Sequence, residues 1–334
     1  MSAFDPDKSA ERQPDDEPGI ERVLRAAGGR ARPADDMKDA VRAAVHAEWR
    51  ATVAKRSQRR TWYAVAASVT VAALALWVGR AYFMTSGPLV ASVSRSIGTV
   101  QSRGGMLGSW HAAASGARVG EELQTGPDGR VALQLRDGVS LRLDHDTRIM
   151  FVDAGRIDVS SGAVYVDAGP TPTTSEHLRL GTPAGVVQHV GTQYEARIVQ
   201  GGTRLRVREG RVDLMPVRGN AQSASVGEQL LVSSSGDVKR DAIAPSDPQW
   251  DWAANTAPTF NIDGRPVRDF LAWVGRELGR EIVFANPESE AEATRAVLSG
   301  SVTGLTPAEA LAAVMPTTQL RSSDHDGKIE IALQ

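Results

Sequence analysis

The chain has 334 residues, which is enough for two folded domains and the segments that connect them. Its 38 Lys and Arg residues nearly balance its 40 Asp and Glu residues, and the formal net charge of -2 gives no overall attraction to nucleic acid. Because cysteine is absent, disulfides, thiolate nucleophiles, Cys-ligated zinc and iron–sulfur clusters are excluded. The 32 glycines and 17 prolines, with only 5% aromatic residues, favour short strands and tight turns.

The first 60 residues are predicted to hold little stable structure of their own. Residues 1–17 are charged, contain proline and have few apolar side chains, so they are predicted to form a disordered tail. Residues 18–60 are predicted to form a helical partner-binding segment, in which one helix begins at Asp35 or Asp36. The candidate binding residues lie on one apolar stripe of this helix and recur every four positions: Met37, Val41, Val45, Trp49 and Val53.

This apolar stripe needs a partner, because two short helices bury too little apolar surface to be stable alone. One interpretation is that the stripe binds another protein, with Trp49 as the central anchor. The other is that it packs on the preceding helix or on a second copy of the chain. The sequence leaves both interpretations open.

Residues 61–84 are predicted to form a transmembrane helix. No charged side chain occurs from Trp62 to Gly79, and a helix of about 20 apolar residues is long enough to cross the hydrocarbon core of a bilayer. The segment lies too far from the N-terminus to resemble a secretory signal peptide. The positive-inside rule places the N-terminus in the cytoplasm, because four basic residues closely precede the span: Lys55, Arg56, Arg59 and Arg60.

Residues 85–244 are predicted to form an all-β sandwich or roll. Apolar and polar residues alternate from Val131 to Leu143, and Asp137-Gly138 in the middle supplies a two-residue turn, which predicts a hairpin with one buried face. The same pattern predicts turns at Ser161-Gly162 and at Glu209-Gly210. Strands separated by turn residues at roughly ten-residue intervals are typical of sandwiches and rolls.

The last part of the chain is predicted to be a linker, 245–258, followed by a small α+β domain, 259–334, with the order βαββαβ. The predicted strands include TFNI, EIVFA, AVLSGSVTG and a final pair, LRSS and KIEIAL. One helix is predicted from Val267 to the glycine at position 279, and a second begins at a capping box whose first residue is Thr306. The fold class of the whole chain is therefore mainly β with α+β parts and short helices before the span.

No catalytic, metal-binding or cofactor-binding motif occurs in the sequence. The six histidines are scattered, and H-E-x-x-H, Walker A and G-x-G-x-x-G patterns are absent. Asp144, His145 and Asp146 come nearest to a metal cluster, but adjacent residues on a strand point to opposite faces. We therefore expect no catalytic residue, no metal, no cofactor and no enzymatic activity.

Three segments of the β region resemble the FecR domain of periplasmic regulators. They are VGEELQTGPDGRVALQLRDGVSLRLDHDT, LGTPAGVVQHVGTQYEARI and TRLRVREGRVDLM, in the order that the family has. The motif positions in this sequence are Asp137, Gly138, Thr182, Pro183, Gly185, Gly191, Thr192, Tyr194, Glu209 and Gly210. In addition, FNIDGRPVRDFLAWVGRELG and LSGSVTGLTPAEALAAV are similar to the short N-terminal module of secretins and TonB-dependent transporters.

The resemblance implies a single-pass signal transducer of the bacterial inner membrane, with a cytoplasmic N-terminus and a periplasmic C-terminus. It implies two partners, an extracytoplasmic-function sigma factor in the cytoplasm and the signalling domain of an outer-membrane TonB-dependent transporter in the periplasm. The protein would then be an anti-sigma factor that holds or releases the sigma factor. The alternative is a non-catalytic envelope scaffold that is anchored in the inner membrane.

The Gly191-Thr192 bond has two interpretations. Some relatives of the FecR type are cut at the corresponding Gly-Thr bond when the threonine hydroxyl attacks the preceding carbonyl, and the resemblance makes this bond a candidate for self-cleavage. Alternatively, Gly191 supplies a tight backbone position and Thr192 a turn hydroxyl.

Overall fold

The computed structural model describes residues 23, 25–29, 34–50, 71–72, 87–105, 108–169 and 178–334. The chain divides into two compact units, Met1–Trp77 and Val78–Gln334. The predicted tail, the basic residues before the predicted span and most of the span itself lie outside the described residues. Val71 and Ala72, which belong to the predicted span, are helical. Among the described residues, no helix has both the length and the apolar character needed to cross a membrane.

In the first unit, residues 35–50 form helix α1, whose side chains are all exposed. The carboxylate of Asp36 accepts a hydrogen bond from the backbone N–H of Met37 at 2.9 Å, and Asp35 pairs with Lys38 at 2.9 Å. Carboxylates in the first turn stabilise a helix because they face the positive end of its dipole. Four large apolar side chains follow the predicted stripe, and each is 59–63% exposed: Met37, Val41, Val45 and Trp49. Val53 lies outside the described residues.

The second unit begins with a β domain whose strands form one continuously hydrogen-bonded sheet. Its strands are β1 (Leu89–Ile97), β2 (Val100–Gly104), β3 (His111–Ala112), β4 (Gly116–Arg118), β5 (Glu121–Thr125), β6 (Arg130–Leu135), β7 (Ser140–Leu143), β8 (Arg148–Asp153), β9 (Arg156–Ser161), β10 (Ala163–Asp167), β11 (Arg179–Thr182), β12 (Gly185–Val199), β13 (Gly202–Pro216), β14 (Gln222–Ser225), β15 (Glu228–Ser233) and β16 (Val238–Ala242). The main path of the sheet is β3-β2-β5-β8-β9-β11-β12-β10-β7-β6-β1-β4, and the long hairpin β12–β13 extends it to β14, β15 and β16.

The hairpin β6–β7 forms where the alternation of residues predicts it. Leu133 pairs with Leu141, and both side chains are fully buried. The turn contains Arg136 as well as Asp137 and Gly138, so it is one residue longer than the predicted two-residue turn. Gly138 has φ +88°, and the Asp137 carboxylate accepts a hydrogen bond from the backbone N–H of Val139 at 3.2 Å. Glycine adopts positive φ at little cost, which suits Gly138 to this turn. The pairing of β6 with β7 confirms the predicted hairpin.

The prediction of a hairpin turn at Ser161-Gly162 is wrong. Strand β9 ends at Ser161 and β10 begins at Ala163, but β9 pairs with β8 and β11, whereas β10 pairs with β7 and β12. Gly162 has φ +78°, and a Cβ atom at this position would lie 2.4 Å from the Cα atom of Thr147. The glycine permits a sharp bend between two regions of the sheet, and a Ser-Gly pair does not distinguish such a bend from a hairpin turn.

The prediction of a turn at Glu209-Gly210 is also wrong, because β13 runs without interruption through both residues. Gly210 has φ +74°, and Gly191 on the paired strand β12 has φ +56° where the pairing register shifts. The two glycines mark a bulge in the hairpin β12–β13. Between the bulge and the hairpin tip, the neighbours are β10 and β15. Beyond the bulge they are β11 and β14.

One apolar core holds the β domain together. It takes side chains from strands throughout the sheet, among them Leu123, Phe151, Val164, Leu180 and Leu205, each no more than 1% exposed. Truncating such a buried side chain to alanine typically costs about 2–5 kcal/mol. All members of this core lie before residue 240, so the β domain has a core of its own.

The predicted linker, 245–258, contains a short helical segment. A 3-10 turn, Pro248–Trp250, leads into helix α2, Asp251–Asn255. The Asp247 carboxylate caps this turn by accepting a hydrogen bond from the backbone N–H of Gln249 at 2.8 Å. Trp250 is fully buried, and its indole N–H donates to the carbonyl of Ala244 at 3.0 Å. The predicted linker is therefore an ordered segment, which Trp250 anchors to the end of the β domain.

The C-terminal domain combines three helices with a three-stranded sheet. Its elements are α3 (Val267–Leu278), β17 (Glu281–Phe284), α4 (Pro287–Arg295), α5 (Pro307–Val314), β18 (Leu320–His325) and β19 (Lys328–Leu333), with β19 in the middle of the sheet. As predicted, α3 ends at Gly279, which has φ +62°, and α5 begins with a capping box formed by Thr306 and Glu309. The predicted final pair of strands is also present as the hairpin β18–β19, whose turn contains Asp326 and Gly327.

The predicted order βαββαβ is wrong, because two of its strands do not form. Residues 259–262 have no regular structure, and the ring of Phe260 stacks on Trp273 of α3 with 5.3 Å between ring centroids. In the segment AVLSGSVTG, a single bridge joins Val297 to Pro266. Most apolar residues of both segments, including Ile262, Leu298 and Val302, belong to the core of the domain, whereas Val297 is exposed. Helix α4 was not predicted, although Asn286 forms a capping box at its start.

Candidate functional site

The FecR motif positions lie in turns and bulges at separate places in the β domain and do not converge on one site. Asp137 and Gly138 form the β6–β7 turn. Thr182 donates a hydrogen bond to the carbonyl of Gly185 at 2.9 Å in the tight β11–β12 turn, which also contains Pro183. Gly191, Thr192, Tyr194, Glu209 and Gly210 lie at or beside the bulge of the β12–β13 hairpin. These positions shape the backbone of the domain.

At the bulge, the positive φ of Gly191 agrees with the tight backbone position expected from the sequence. Thr192 is fully buried, and its carbonyl accepts a hydrogen bond from the backbone N–H of Ala168 at 3.1 Å. Within the described residues, the Thr192 hydroxyl has no hydrogen-bond partner. Tyr194 is also fully buried, and burial raises the pKa of its phenol. Self-cleavage at Gly191-Thr192 stays a prediction.

Glu209 leads to a second cluster, where the β domain meets the C-terminal domain. The residues of this cluster, called the joint below, are Arg142, Tyr165, Asp167, Arg208, Glu209, Trp250, Arg276 and Glu277. They come from strands β7, β10 and β13, from the segment before α2, and from the end of α3. The joint contains buried charged and aromatic side chains, among them Arg142, Tyr165, Trp250 and Glu277.

Arg142 and Glu277 form the central ion pair of the joint. The two terminal nitrogens of Arg142 donate to the two carboxylate oxygens of Glu277, at 2.6 and 2.8 Å. The same guanidinium donates to the carbonyl of Ala253 in α2 at 2.9 Å. Their side chains are only 1% and 5% exposed. A two-point pair of this kind fixes the orientation of both groups, so it sets the position of α3 on the β domain.

Arg208 binds the C-terminal end of helix α3. Its Nη1 donates to the carbonyl of Glu277 at 2.8 Å, and its Nε donates to the carbonyl of Pro245 at 2.7 Å. Carbonyl groups at the end of a helix lack partners within the helix, and the helix dipole makes this end attractive to cations. The guanidinium also lies 5.4 Å from the ring centroid of Trp250, over the face of the indole. Arg208 therefore links α3, Trp250 and strand β13.

Arg276 makes the reciprocal contact from α3 to the β domain. Its guanidinium donates to the carboxylates of Asp167 and Glu209. Asp167 also accepts a hydrogen bond from the side-chain amide of Gln193 at 3.0 Å. Burial alone would raise the pKa of Asp167, but the hydrogen bond from Arg276 and the nearby positive charges lower it below its ordinary value. The carboxylate is therefore ionised at neutral pH and binds α3 through its charge.

Tyr165 lies among aromatic and positively charged groups in the joint. Its ring makes edge contacts with Trp250 and Trp252, at centroid distances of 6.0 and 6.4 Å. The Arg142 guanidinium lies 5.0 Å from the centroid of the same ring. Among the described residues, the phenol oxygen of Tyr165 has no hydrogen-bond partner. Burial raises the pKa of Tyr165 to about 12, although the nearby arginines oppose this shift.

Another buried carboxylate lies next to the joint. Glu195 on β12 is fully buried and pairs with Arg204 at 3.0 Å and with Arg197 at 3.4 Å. It also accepts a hydrogen bond from the indole N–H of Trp252 at 2.9 Å. Trp250 and Trp252 are therefore both held by groups that precede residue 245, and the helical segment 248–255 is attached to the β domain.

The joint was not predicted from the sequence. Alternation correctly placed Leu141 and Leu143 in the core, but it placed Arg142 on a solvent-facing side of the sheet. In the structure, every residue of β7 and of β10 is buried, because the segment 248–255 and the end of α3 cover their second face. Two signals were available: the closely spaced Trp250 and Trp252 in a supposed linker, and the alternation of a bulky Tyr165 with valines in β10.

The joint has no arrangement that indicates catalysis. Arginines neutralise its carboxylates, and its phenol is buried at a raised pKa. Within the described residues, no group of three or more His, Asp or Glu side chains is placed to hold a metal ion. The arrangement can instead hold two domains in a defined orientation by charge.

Comparisons with known proteins match the β domain. Residues 121–213 match the family model described as FecR protein. No curated protein sequence matches the chain at a significant level. Two crystal structures of a candidate anti-sigma factor from Parabacteroides distasonis, at 1.65 and 2.50 Å resolution, align with 64% of this chain and with 99% and 98% of their own chains. Their sequence identity is 16% and their TM-scores are 0.35 and 0.34, which is too low to support a functional comparison.

Proposed function

We propose that this chain, whose residues 121–213 match the FecR family model, is an anti-sigma regulator of the bacterial inner membrane. In this proposal, residues 18–60 hold an extracytoplasmic-function sigma factor in the cytoplasm, and residues 61–84 cross the membrane once. The second unit then lies in the periplasm and receives a protein signal from a TonB-dependent transporter.

The exposed apolar stripe on α1 is the observation that carries this proposal. Met37, Val41, Val45 and Trp49 are each more than half exposed, although apolar side chains of this size are usually buried in water-soluble units. A helix with apolar anchors at every fourth position is a common form for docking into a groove of another protein. Tryptophan is enriched among the residues that dominate binding energy, so Trp49 is the proposed anchor.

The proposed membrane topology is supported by the sequence. An uncharged apolar stretch of sufficient length begins at Trp62, and basic residues cluster just before it. The FecR domain follows this stretch, so the span would separate the domain from α1. This order gives one chain access to a signal on one side of the membrane and to a transcription regulator on the other.

A binding experiment with the full-length chain tests the sigma-factor contact. The detergent-solubilised protein is immobilised, and its affinity for each extracytoplasmic-function sigma factor of the source bacterium is measured by biolayer interferometry. We expect one of them to bind, and Trp49→Ala to weaken that binding by about 2 kcal/mol or more, which is roughly 30-fold in Kd. Arg50→Ala is the matched control, since Arg50 lies on the side of α1 away from the middle of the stripe and should change the Kd less than about twofold.

Two results would contradict this proposal. Either no sigma factor binds the wild-type chain, or one binds equally well to wild type and to Trp49→Ala. The first result would favour the envelope scaffold as the function, and the second would move the contact away from the stripe.

A further inference from the structure

The two domains of the second unit have separate apolar cores. The core of the β domain and the core of the C-terminal domain share no side chain. Between them lies a small cluster of Tyr165, Ile243, Trp250 and Ala253, with Trp252 at its edge. The contact between the domains is therefore not a continuation of either core.

The contacts across the joint are largely made by arginines. Arg142 and Arg208 reach from the β domain to the end of α3, and Arg276 reaches back from α3 to Asp167 and Glu209. On another side of the contact, Arg95 of β1 donates to the carbonyls of Gly304 and Leu305, both at 3.1 Å. Each of these groups has a polar partner in the other domain, so the contact depends on both domains keeping one orientation.

From this arrangement we propose that the joint is a latch, which holds the C-terminal domain on the β domain in a closed form and releases it as an intact unit in an open form. Trp250, Trp252 and α2 would stay on the β domain, because their indole groups are bonded to Ala244 and Glu195. The hinge would then lie between α2 and α3, in residues 256–266. Arg142 would break its bonds to Glu277 and keep its bond to Ala253.

The physical chemistry of buried ion pairs favours such a latch. The attraction within a buried pair is largely offset by the cost of removing both charges from water, so separating the whole pair into water costs little. Removing one partner alone is costly, because the other charge stays buried without compensation. A ligand that displaces one side of the joint would therefore release all of its pairs together, while both apolar cores remain buried. This inference does not depend on what α1 binds.

Distance measurements on the full chain test the latch. Because the chain contains no cysteine, Lys239→Cys on β16 and Glu288→Cys on α4 can be spin-labelled selectively. Both positions are exposed and lie outside the joint. In the otherwise wild-type chain, double electron–electron resonance should give one narrow distance distribution. Glu277→Arg places a second positive charge beside Arg142. In this variant the distance distribution should broaden, and at least half of the molecules should show a longer distance between the labels.

Glu122→Arg is the matched control, since Glu122 pairs with Arg103 at 2.8 Å inside the β domain and away from the joint. It should leave the distance distribution narrow. Hydrogen exchange of β6 and β7 reports whether the β domain stays folded. The latch is supported if Glu277→Arg broadens the distribution while these amides stay protected. It is overturned if the distribution stays narrow, if the control broadens it equally, or if protection of β6 and β7 is lost, because the two domains would then be one cooperative unit.

Discussion

The carboxylate of Glu277 meets the guanidinium of Arg142 through two hydrogen bonds, although 135 positions of chain separate the two residues. Arg142 lies in a strand of the β domain, and Glu277 lies near the end of a helix in the C-terminal domain. Their pairing places both partners among the least exposed charged side chains in the described part of the chain.

Removing only one partner of this pair should be more harmful than removing both. Arg142→Met leaves the Glu277 carboxylate buried without its cation, and we expect a loss of about 3–5 kcal/mol in the free energy of unfolding. Arg142→Met combined with Glu277→Leu should recover most of this loss, since no unpaired charge remains. Urea unfolding followed by circular dichroism measures both variants. Additive losses in the double variant would mean that the two side chains act independently.

Tyr165 should make the protein less stable at alkaline pH. Its pKa is about 12 in the folded protein and about 10 in an unfolded chain, so its stabilising effect is complete below pH 10 and is lost as the pH rises towards 12. Tyr165→Phe should flatten the loss of stability in this range and should change stability at pH 7 by no more than about 1 kcal/mol. Urea unfolding between pH 7 and pH 11 provides the measurement.

The interpretation of the Tyr165→Phe measurement depends on the other ionisable groups in the protein. The charged groups that face the phenol are Arg142, Asp167, Arg208 and Glu277. Tyr194 is a second buried phenol with a raised pKa, so some alkaline loss should persist in the variant. An unchanged slope in Tyr165→Phe would show that the phenol of Tyr165 ionises as freely in the folded protein as in the unfolded chain.

Asp167 should contribute to stability at neutral pH and lose that contribution in acid. Its folded-state pKa is lowered, so the contribution is present above pH 4 and disappears as the pH falls through the folded-state value. Asp167→Asn should therefore be less stable at pH 7 and should respond less to acid. Unfolding free energies at pH 7 and at successive steps below pH 5 test this. If wild type and variant lose stability in parallel below pH 4, the carboxylate of Asp167 is not the source.

Gly191 should be required for its backbone conformation. Its φ of +56° is strained for residues with a Cβ atom, so Gly191→Ala should destabilise the protein by roughly 1–2 kcal/mol. Gly201→Ala is the comparison for a positive φ in an open loop, since a Cβ atom there would have nothing within 4 Å. Intact-mass spectrometry of the purified wild-type chain separately decides whether the Gly191-Thr192 bond is cut. A single full-length mass would exclude self-cleavage under those conditions.

Local signals in the sequence predicted many elements of the second unit. The Asp137-Gly138 hairpin, the glycine end of α3 and the capping box of α5 each depend on a few neighbouring residues, and each is present. The turns assigned to Ser161-Gly162 and Glu209-Gly210 failed because positive-φ glycines serve bends and bulges as well as hairpins. The pairing of distant strands decides whether such a glycine forms a bend, a bulge or a hairpin turn. That pairing is not encoded within a window of ten residues.

The joint could not be predicted in the same way because its partners come from distant parts of the chain. Period-two alternation identifies one buried face of a strand, but it cannot show that another domain covers the opposite face. Alternation alone therefore does not distinguish Arg142 and Asp167 from polar residues that face solvent. By contrast, the stripe on α1 repeats every four residues along one helix, and its spacing alone was sufficient to find it.

The two-sided burial of β7 and β10 also bears on the synthesis of the protein. The ribosome synthesises Arg142 well before Glu277. The core of the β domain can therefore form while the second face of β7 and β10 is still uncovered. During that interval the open face presents Arg142, Asp167 and Arg208 to water. Charged groups keep an incomplete sheet from associating with other nascent chains, whereas an apolar face would promote aggregation. The side chains that later join the two domains would thus protect the first domain while the second is being made.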